Sequence, residues 1–221
     1  SNGTSFADKI KKYEKQTHTQ PANVVAWQEL SKALLHEAGQ EGFVDQSTGS
    51  FTTEGHELIN RAGEAWERYI ALNPAKPNSE LAYLVANDVY SEAGRNEPSK
   101  AVAAMQIVVA AFPDSASRYA LLAEYAYKAK NESVGDQAAK RAVALAPASE
   151  RASVKSSLEA VKKNPSGEEE LTTTTNGKTF KVKTTGESGT FTGTEVKSTT
   201  APTTSTGSTS TTKTSSGTSK K

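Results

Sequence analysis

The stretch Tyr119–Pro147, YALLAEYAYKAKNESVGDQAAKRAVALAP, limits what this chain can fold into more than any other. Tyr119, Leu122, Ala123 and Ala126 recur at helical spacing and so share one face. Lys130-Asn131-Glu132-Ser133 is a short polar turn. Gly135, Ala139, Ala142 and Val143 then line one face of a second helix. Pro147 ends it, because proline lacks an N–H and disfavours helix in the residue before it. Side chains as small as those at 123, 135, 139 and 142 let two helix backbones approach closely, while a neighbouring Tyr or Leu fills the space beside them. Neither helix can bury its apolar face alone, so hairpins of this kind stack on one another.

The same spacing is found upstream. Trp27, Tyr83 and Tyr119 each open a first helix, followed three residues on by Leu30, Ala86 and Leu122. Ser31, Asn87 and Ala123 come next, at a place that favours a small residue. The second helices contribute Ala62, Trp66 and Tyr69, then Ala101, Met105 and Val108, then Gly135, Ala139 and Ala142. Pro74, Pro113 and Pro147 close them, and the last two lie 34 residues apart.

In rhythm these units resemble the tetratricopeptide repeat, whose period is 34 and whose pattern is W-x2-L-G-x2-Y, then A-x3-F, then P. The letters depart from that pattern in places. Ser31, Asn87 and Ala123 replace the glycine, and the Tyr survives only as Tyr90, with Leu34 and Ala126 in the other units. The turn glycine is kept as Gly94, with Gly39 one place late. A related helical-hairpin family of slightly longer period is the structural alternative. The resemblance implies an all-α fold, with antiparallel helical hairpins stacked as a short right-handed α-solenoid. It places a half repeat at residues 5–22, repeats at about 23–76, 77–114 and 115–148, and a capping helix at 149–163. Residues 1–4 are expected to be disordered.

The resemblance also implies a binding face. In this family the first helices line a concave groove that takes peptides. Carried over position by position, the groove residues are Gln28, Lys32 and His36, then Leu84, Asp88 and Glu92, then Ala120, Glu124 and Lys128, with Tyr127 beside them. Members that bind chaperones grip a terminal carboxylate with an Asn and basic residues. Val85, Ser117 and Leu121 stand at those places here, so a carboxylate clamp is not expected. Asp88, Glu92 and Glu124 suggest an acidic groove suited to a basic or neutral peptide.

The ends and the one long insertion are less regular. Phe6, Ile10 and Tyr13 form a short amphipathic stripe, and Pro21 precedes Trp27 by the same six residues that separate Pro113 from Tyr119. Residues 5–20 therefore read as a second helix without a first, either an N-terminal cap or the continuation of upstream sequence that could carry a membrane anchor. Gly39–Gly55 is longer than a hairpin connection needs. Its Phe43, Val44 and Phe51 predict a small loop closed onto the helices, serving either to contact a partner or as a tolerated insertion. It superficially resembles a calcium loop, but Ser50 and His56 stand where that loop requires Gly and Glu. Asn23, Thr53, Asn78, Ser99, Ser115 and Ser149 are the expected helix starts. Trp27 is expected in the core. AVAAMQIVVAAF, within Lys100–Phe112, reads as the most buried helix of the stack.

Composition separates the C-terminus from the rest. Residues 1–163 hold 19 Lys/Arg against 20 Asp/Glu, so no basic face of the size nucleic-acid binding needs is suggested. From residue 164 onward Ser, Thr, Gly and Lys dominate, and such a segment buries too little apolar surface to offset chain entropy. Residues 164–221 are thus expected to be a mostly disordered tail, save for a transient hairpin over Lys178–Lys197 around Gly186-Glu187. Tails of this kind suggest a bacterial extracytoplasmic or cell-envelope location. Asn2-Gly3-Thr4 and Asn131-Glu132-Ser133 fit the glycosylation pattern.

No cysteine is present, which removes thiol catalysis, disulfides and cysteine-ligated zinc. No apolar run approaches the length of a membrane span. Nucleotide-binding, hydrolase and zinc-protease motifs are missing, and His18, His36 and His56 have no companion at ligand spacing. The expected function is a non-enzymatic scaffold that binds a protein or peptide, without cofactor or metal. A spacer or self-assembly module at the cell envelope is the alternative, and an enzyme the third reading.

Overall fold

The computed structural model describes residues 5–167 and, beyond them, the strand residues 169–175, 178–184 and 192–195. The chain divides into two compact units, 1–167 and 168–221.

The first unit is all helical among its described residues. In chain order the helices are α1 (Phe6–Thr19), α2 (Val24–Ala38), α3 (Thr53–Ala71), α4 (Ser79–Leu84), α5 (Pro98–Ala111), α6 (Ala116–Lys128), α7 (Glu132–Leu145) and α8 (Arg151–Lys163). Several starts carry a side-chain cap that satisfies an otherwise orphan N–H. Asn23, Asn78 and Asn131 accept from Ala26, Leu81 and Val134. Thr52, rather than Thr53, caps α3 by accepting from Gly55 N. Pro98 occupies the first turn of α5, so that helix starts before the expected Ser99. Proline suits the place, since its missing N–H would have had no partner there. Helix α8 starts at Arg151, two residues after the expected Ser149.

Most helices pack on their chain neighbours: α1 on α2, α2 on α3, α4 on α5, α5 on α6, and α6 on α7, with α8 against both α6 and α7. One continuous core results, running from Ile10 in α1 to Leu158 in α8. Its centre holds Leu34, Ile59, Tyr69, Leu81, Met105 and Val108, each almost inaccessible. The small-residue positions work as their spacing predicts. Ser31 is fully buried and donates its hydroxyl to Ala62 O at 2.8 Å, tying α2 to α3. Ala123 and Ala142 are fully buried between α6 and α7.

Two expectations about aromatic and apolar residues are corrected. Trp27 is only half-buried, and its indole N–H donates to Pro21 O at 2.8 Å. The ring needs that polar partner and therefore sits at the rim. Helix α5 buries Val102, Met105 and Val108 but exposes Ala103, Gln106, Ala110 and Ala111, so it is not enclosed on all sides.

The first helix of the second hairpin changes pitch. After α4 the chain makes one π-helical turn, Val85–Val89, marked by Tyr90 N donating to Val85 O at 3.0 Å. Tyr83 and Ala101 are two residues further apart than Tyr119 and Gly135, and the wide turn with the loop after it absorbs that excess. The loop is held by Glu67 of α3. Burial pushes the Glu67 carboxyl up, but a hydrogen bond from Lys100 and the charges of Arg95 and Lys100 outweigh it and hold the group below its usual range. Lys100 Nζ lies 2.8 Å from Glu67 and 3.0 Å from Glu97, and Tyr90 donates to Glu67 at 3.1 Å.

The insertion between α2 and α3 closes as expected. Val44 bridges to both Glu41 and Phe51, and Thr52 N donates to Phe43 O at 2.9 Å. Phe43 and Phe51 pack on the core. Gly55 is required beneath this loop, because a Cβ there would run into Phe43 O.

Three short strands lie within the expected tail. Glu169–Thr175 (β1), Lys178–Thr184 (β2) and Thr192–Glu195 (β3) form an antiparallel sheet in the order β1-β2-β3. Leu171 pairs with Val182 and Thr173 with Phe180; Phe180 in turn pairs with Glu195. The β2–β3 pairing falls within the expected hairpin, whereas β1 was expected to be unstructured. The register joins Thr175 to Lys178, which leaves Asn176-Gly177 as the connection, and Asn-Gly between strand-forming residues is a strong hairpin signal. The remaining tail residues, with residues 1–4, lie outside the described residues.

Candidate functional site

The groove positions of the second and third hairpins come together on the α4–π and α6 surface. Asn87 is the tie. Its side-chain N–H donates to Tyr83 O at 2.8 Å, and its carbonyl accepts from Tyr125 OH at 3.1 Å. Around this link lie Tyr83, Asp88, Glu92, Glu124, Tyr125 and Lys128. Burial pushes the Tyr125 hydroxyl up to about 12, helped by the negative charges of Asp88, Glu124 and Glu92. Tyr83 is one of the few large apolar side chains left exposed, at 40%.

The three acids of the patch are not equivalent. Glu92 is matched by Lys128, Nζ to Oε1 at 3.0 Å. Asp88, on the π turn, has no hydrogen-bond or ion-pair partner for its carboxylate among the described residues. Burial alone raises its pKa. Burial likewise raises Glu124, with Lys128 pulling partly the other way. Negative charge at the site therefore rests on Asp88 and Glu124. Both are half-buried carboxylates that lose hydration without gaining a full counter-charge.

The other candidates lie as follows. Leu84 and Ala120 are half-buried and pack against the core. On α2, Gln28 donates to Glu29 at 3.2 Å, Lys32 is half-buried, and His36 stacks on Phe6 of α1 with ring centroids 5.2 Å apart. No hydrogen bond or ion pair joins these three to the α4–π and α6 patch among the described residues. Tyr127 faces a different neighbourhood. Its ring lies against Gly135, its hydroxyl donates to Asp136 at 2.9 Å, and Lys162 Nζ of α8 sits 5.8 Å from the ring centroid. Tyr83, Asn87 and Tyr125 were not among the expected site residues. Their helical offsets from Asp88 and Glu124 were visible, but nothing in the letters shows that Asn87 and Tyr125 meet across two helices.

In the insertion, the Asp45 carboxylate accepts from Ser47 N, Ser47 Oγ and Thr48 N. Those hydrogen bonds, the Ser47 hydroxyl foremost, hold it below the usual carboxylate range. Among the described residues, no three or more His, Cys, Asp or Glu side chains are grouped so as to hold a metal ion. No helix among them is long and apolar enough to cross a membrane.

No protein-family model matches the chain, and no curated protein matches it. Among solved structures, that of MamA is similar over 72% of this chain and 86% of its own, at 18% identity and a TM-score of 0.43. The fold rests on the helix packing itself rather than on that likeness. By its packing, the helical unit is a stack of helical hairpins.

Proposed function

We propose that the chain is a protein-interaction scaffold, and that the face shared by α4, the π turn and α6 receives a peptide or protein segment bearing a basic side chain. The observation that carries this reading is Asp88. A half-buried carboxylate without a partner costs free energy in the free protein, and an incoming cation removes that cost. Exposed Tyr83 offers an aromatic surface beside it, and Glu124 adds a second charge of the same sign. The positions on α2 extend the same series of first helices and belong to the proposed face. Tyr127 does not, given its contacts with Asp136 and Lys162.

A display selection of random peptides on the full chain tests this. Enriched sequences should carry Lys or Arg. Synthetic copies should lose at least tenfold in affinity, measured by fluorescence anisotropy, when Asp88→Asn and Glu124→Gln are combined. Enriched peptides without basic residues, or affinities unchanged in the double variant, would refute the proposal.

A further inference from the structure

Among the described residues no second helix follows α8. In the preceding hairpins the first helix is followed by a second that packs on it: α3 on α2, α5 on α4, α7 on α6. Among the described residues α8 is followed by strand β1, and within the helical unit it packs on α6 and α7. Leu158 is its one buried residue. Beside it a hollow of about 450 Å³ opens between α7 and α8, floored by Ala139, Val143 and Leu158, with Lys140, Lys155 and Lys162 and the carboxylates of Asp136 and Glu159 around it.

The repeat itself says what belongs there. Ala62 of α3 and Gly135 of α7 are equivalent, so Trp66, Glu67 and Ile70 correspond to Ala139, Lys140 and Val143. On α3 that face shares a smaller hollow, about 320 Å³, with α5, the second helix of the next hairpin, and Glu67 meets Lys100 of α5 at 2.8 Å. On α7 the same face looks into the hollow. The charge at the ion-pair position is reversed: Lys140 stands where Glu67 stands, and it has no hydrogen-bond or ion-pair partner among the described residues. Of the other two lysines, Lys162 is matched by Asp136 at 2.7 Å and Lys155 lies 3.9 Å from Glu159.

We infer that the α7–α8 hollow seats an amphipathic helix of a partner protein, which completes the fourth hairpin and places an Asp or Glu against Lys140. Charge decides against the other candidate, α1 of a second copy. That helix carries Lys9, Lys11, Lys12 and Lys15 against Asp8 and Glu14, so like charges would meet at Lys140.

The test uses the full chain and two fluorescent peptides locked as helices by a lactam on the outer face. One is the α5 segment Pro98–Phe112, and the other is the same segment with Lys100→Glu. The Glu peptide should bind at least tenfold more tightly than its Lys parent, and Lys140→Glu in the protein should reverse the order. Equal binding of the two peptides, no binding, or a Glu preference that survives Lys140→Glu would overturn the inference. Sedimentation that shows self-association dispersed by Lys140→Glu would assign the hollow to a second copy and overturn the heterologous partner.

Discussion

Replacing Gly135 by Ala sets two known effects against each other, and the structure says which one wins. In a helix interior Ala is favoured over Gly by about 1 kcal/mol. Here, however, a Cβ on residue 135 would lie 2.6 Å from Cδ1 and 3.1 Å from Cζ of Tyr127, closer still to Cε1. That ring cannot swing away cheaply. It is 4% exposed, its hydroxyl is bonded to Asp136, and Lys162 covers one face. Overpacking a tight site costs about 1–3 kcal/mol, and contact with a held ring belongs in the upper half of that range. Gly135→Ala should therefore destabilise the helical unit by about 1–2 kcal/mol, read from urea denaturation followed by far-ultraviolet circular dichroism. The diagnostic is the double-mutant cycle. Tyr127→Ala alone should cost about 3–5 kcal/mol as a large-to-small core change. In that background Gly135→Ala should turn stabilising by about 1 kcal/mol, because only the helix preference remains. A Gly135→Ala protein as stable as the parent, or an equal effect in both backgrounds, would refute the packing argument.

Three further outcomes are expected. Gly55→Ala should destabilise by about 1–3 kcal/mol and speed proteolysis within residues 40–52, since the new methyl meets Phe43 O, a backbone atom that cannot rotate aside. Trp66→Ala should cost about 3–5 kcal/mol in the same denaturation assay, the ring being 4% exposed against Tyr69. Asp88→Asn should raise stability at neutral pH. Burial raises the Asp88 pKa above its ordinary 3.8, so the folded state holds the proton more tightly than the unfolded one. Its contribution is full below 3.8 and lost as pH climbs through the raised value. The advantage of the Asn variant in thermal melts should accordingly shrink as pH falls towards 3.8; a constant advantage would refute the assignment.

Much of the helical unit was legible because its signals are local. Proline stops, Asn caps and aromatic-to-small spacing each act within a few residues of themselves. That suffices to place α6, its turn and α7 from Tyr119 to Pro147. Trp27 misled because spacing reports the face of a helix and not the depth of burial at the end of a stack. The π turn was foreshadowed only by a length excess, since hydrogen-bond pitch leaves no residue-type signature in Val85–Val89. In the tail, Thr-rich composition outweighed the Asn176-Gly177 signal that separates β1 from β2. At the candidate site, Asp88 and Glu124 came from the groove positions that the repeat resemblance implies. The pairing of Glu92 with Lys128 and the Asn87–Tyr125 bond depend on how two hairpins are rotated against each other, which single-helix periodicity does not encode.

The shallow anchoring of α8 has a kinetic corollary. In a stack where each helix touches only near neighbours, opening costs only the boundary being broken, so loss of structure begins where that boundary is thinnest. With Leu158 as its single buried residue, α8 is the lid that lifts first. Its amides should exchange with solvent well ahead of those in α3 and α5, while the rest of the stack stays closed behind α7. A ligand that grips this end would act as a clasp, slowing exchange in α8 without touching the interior.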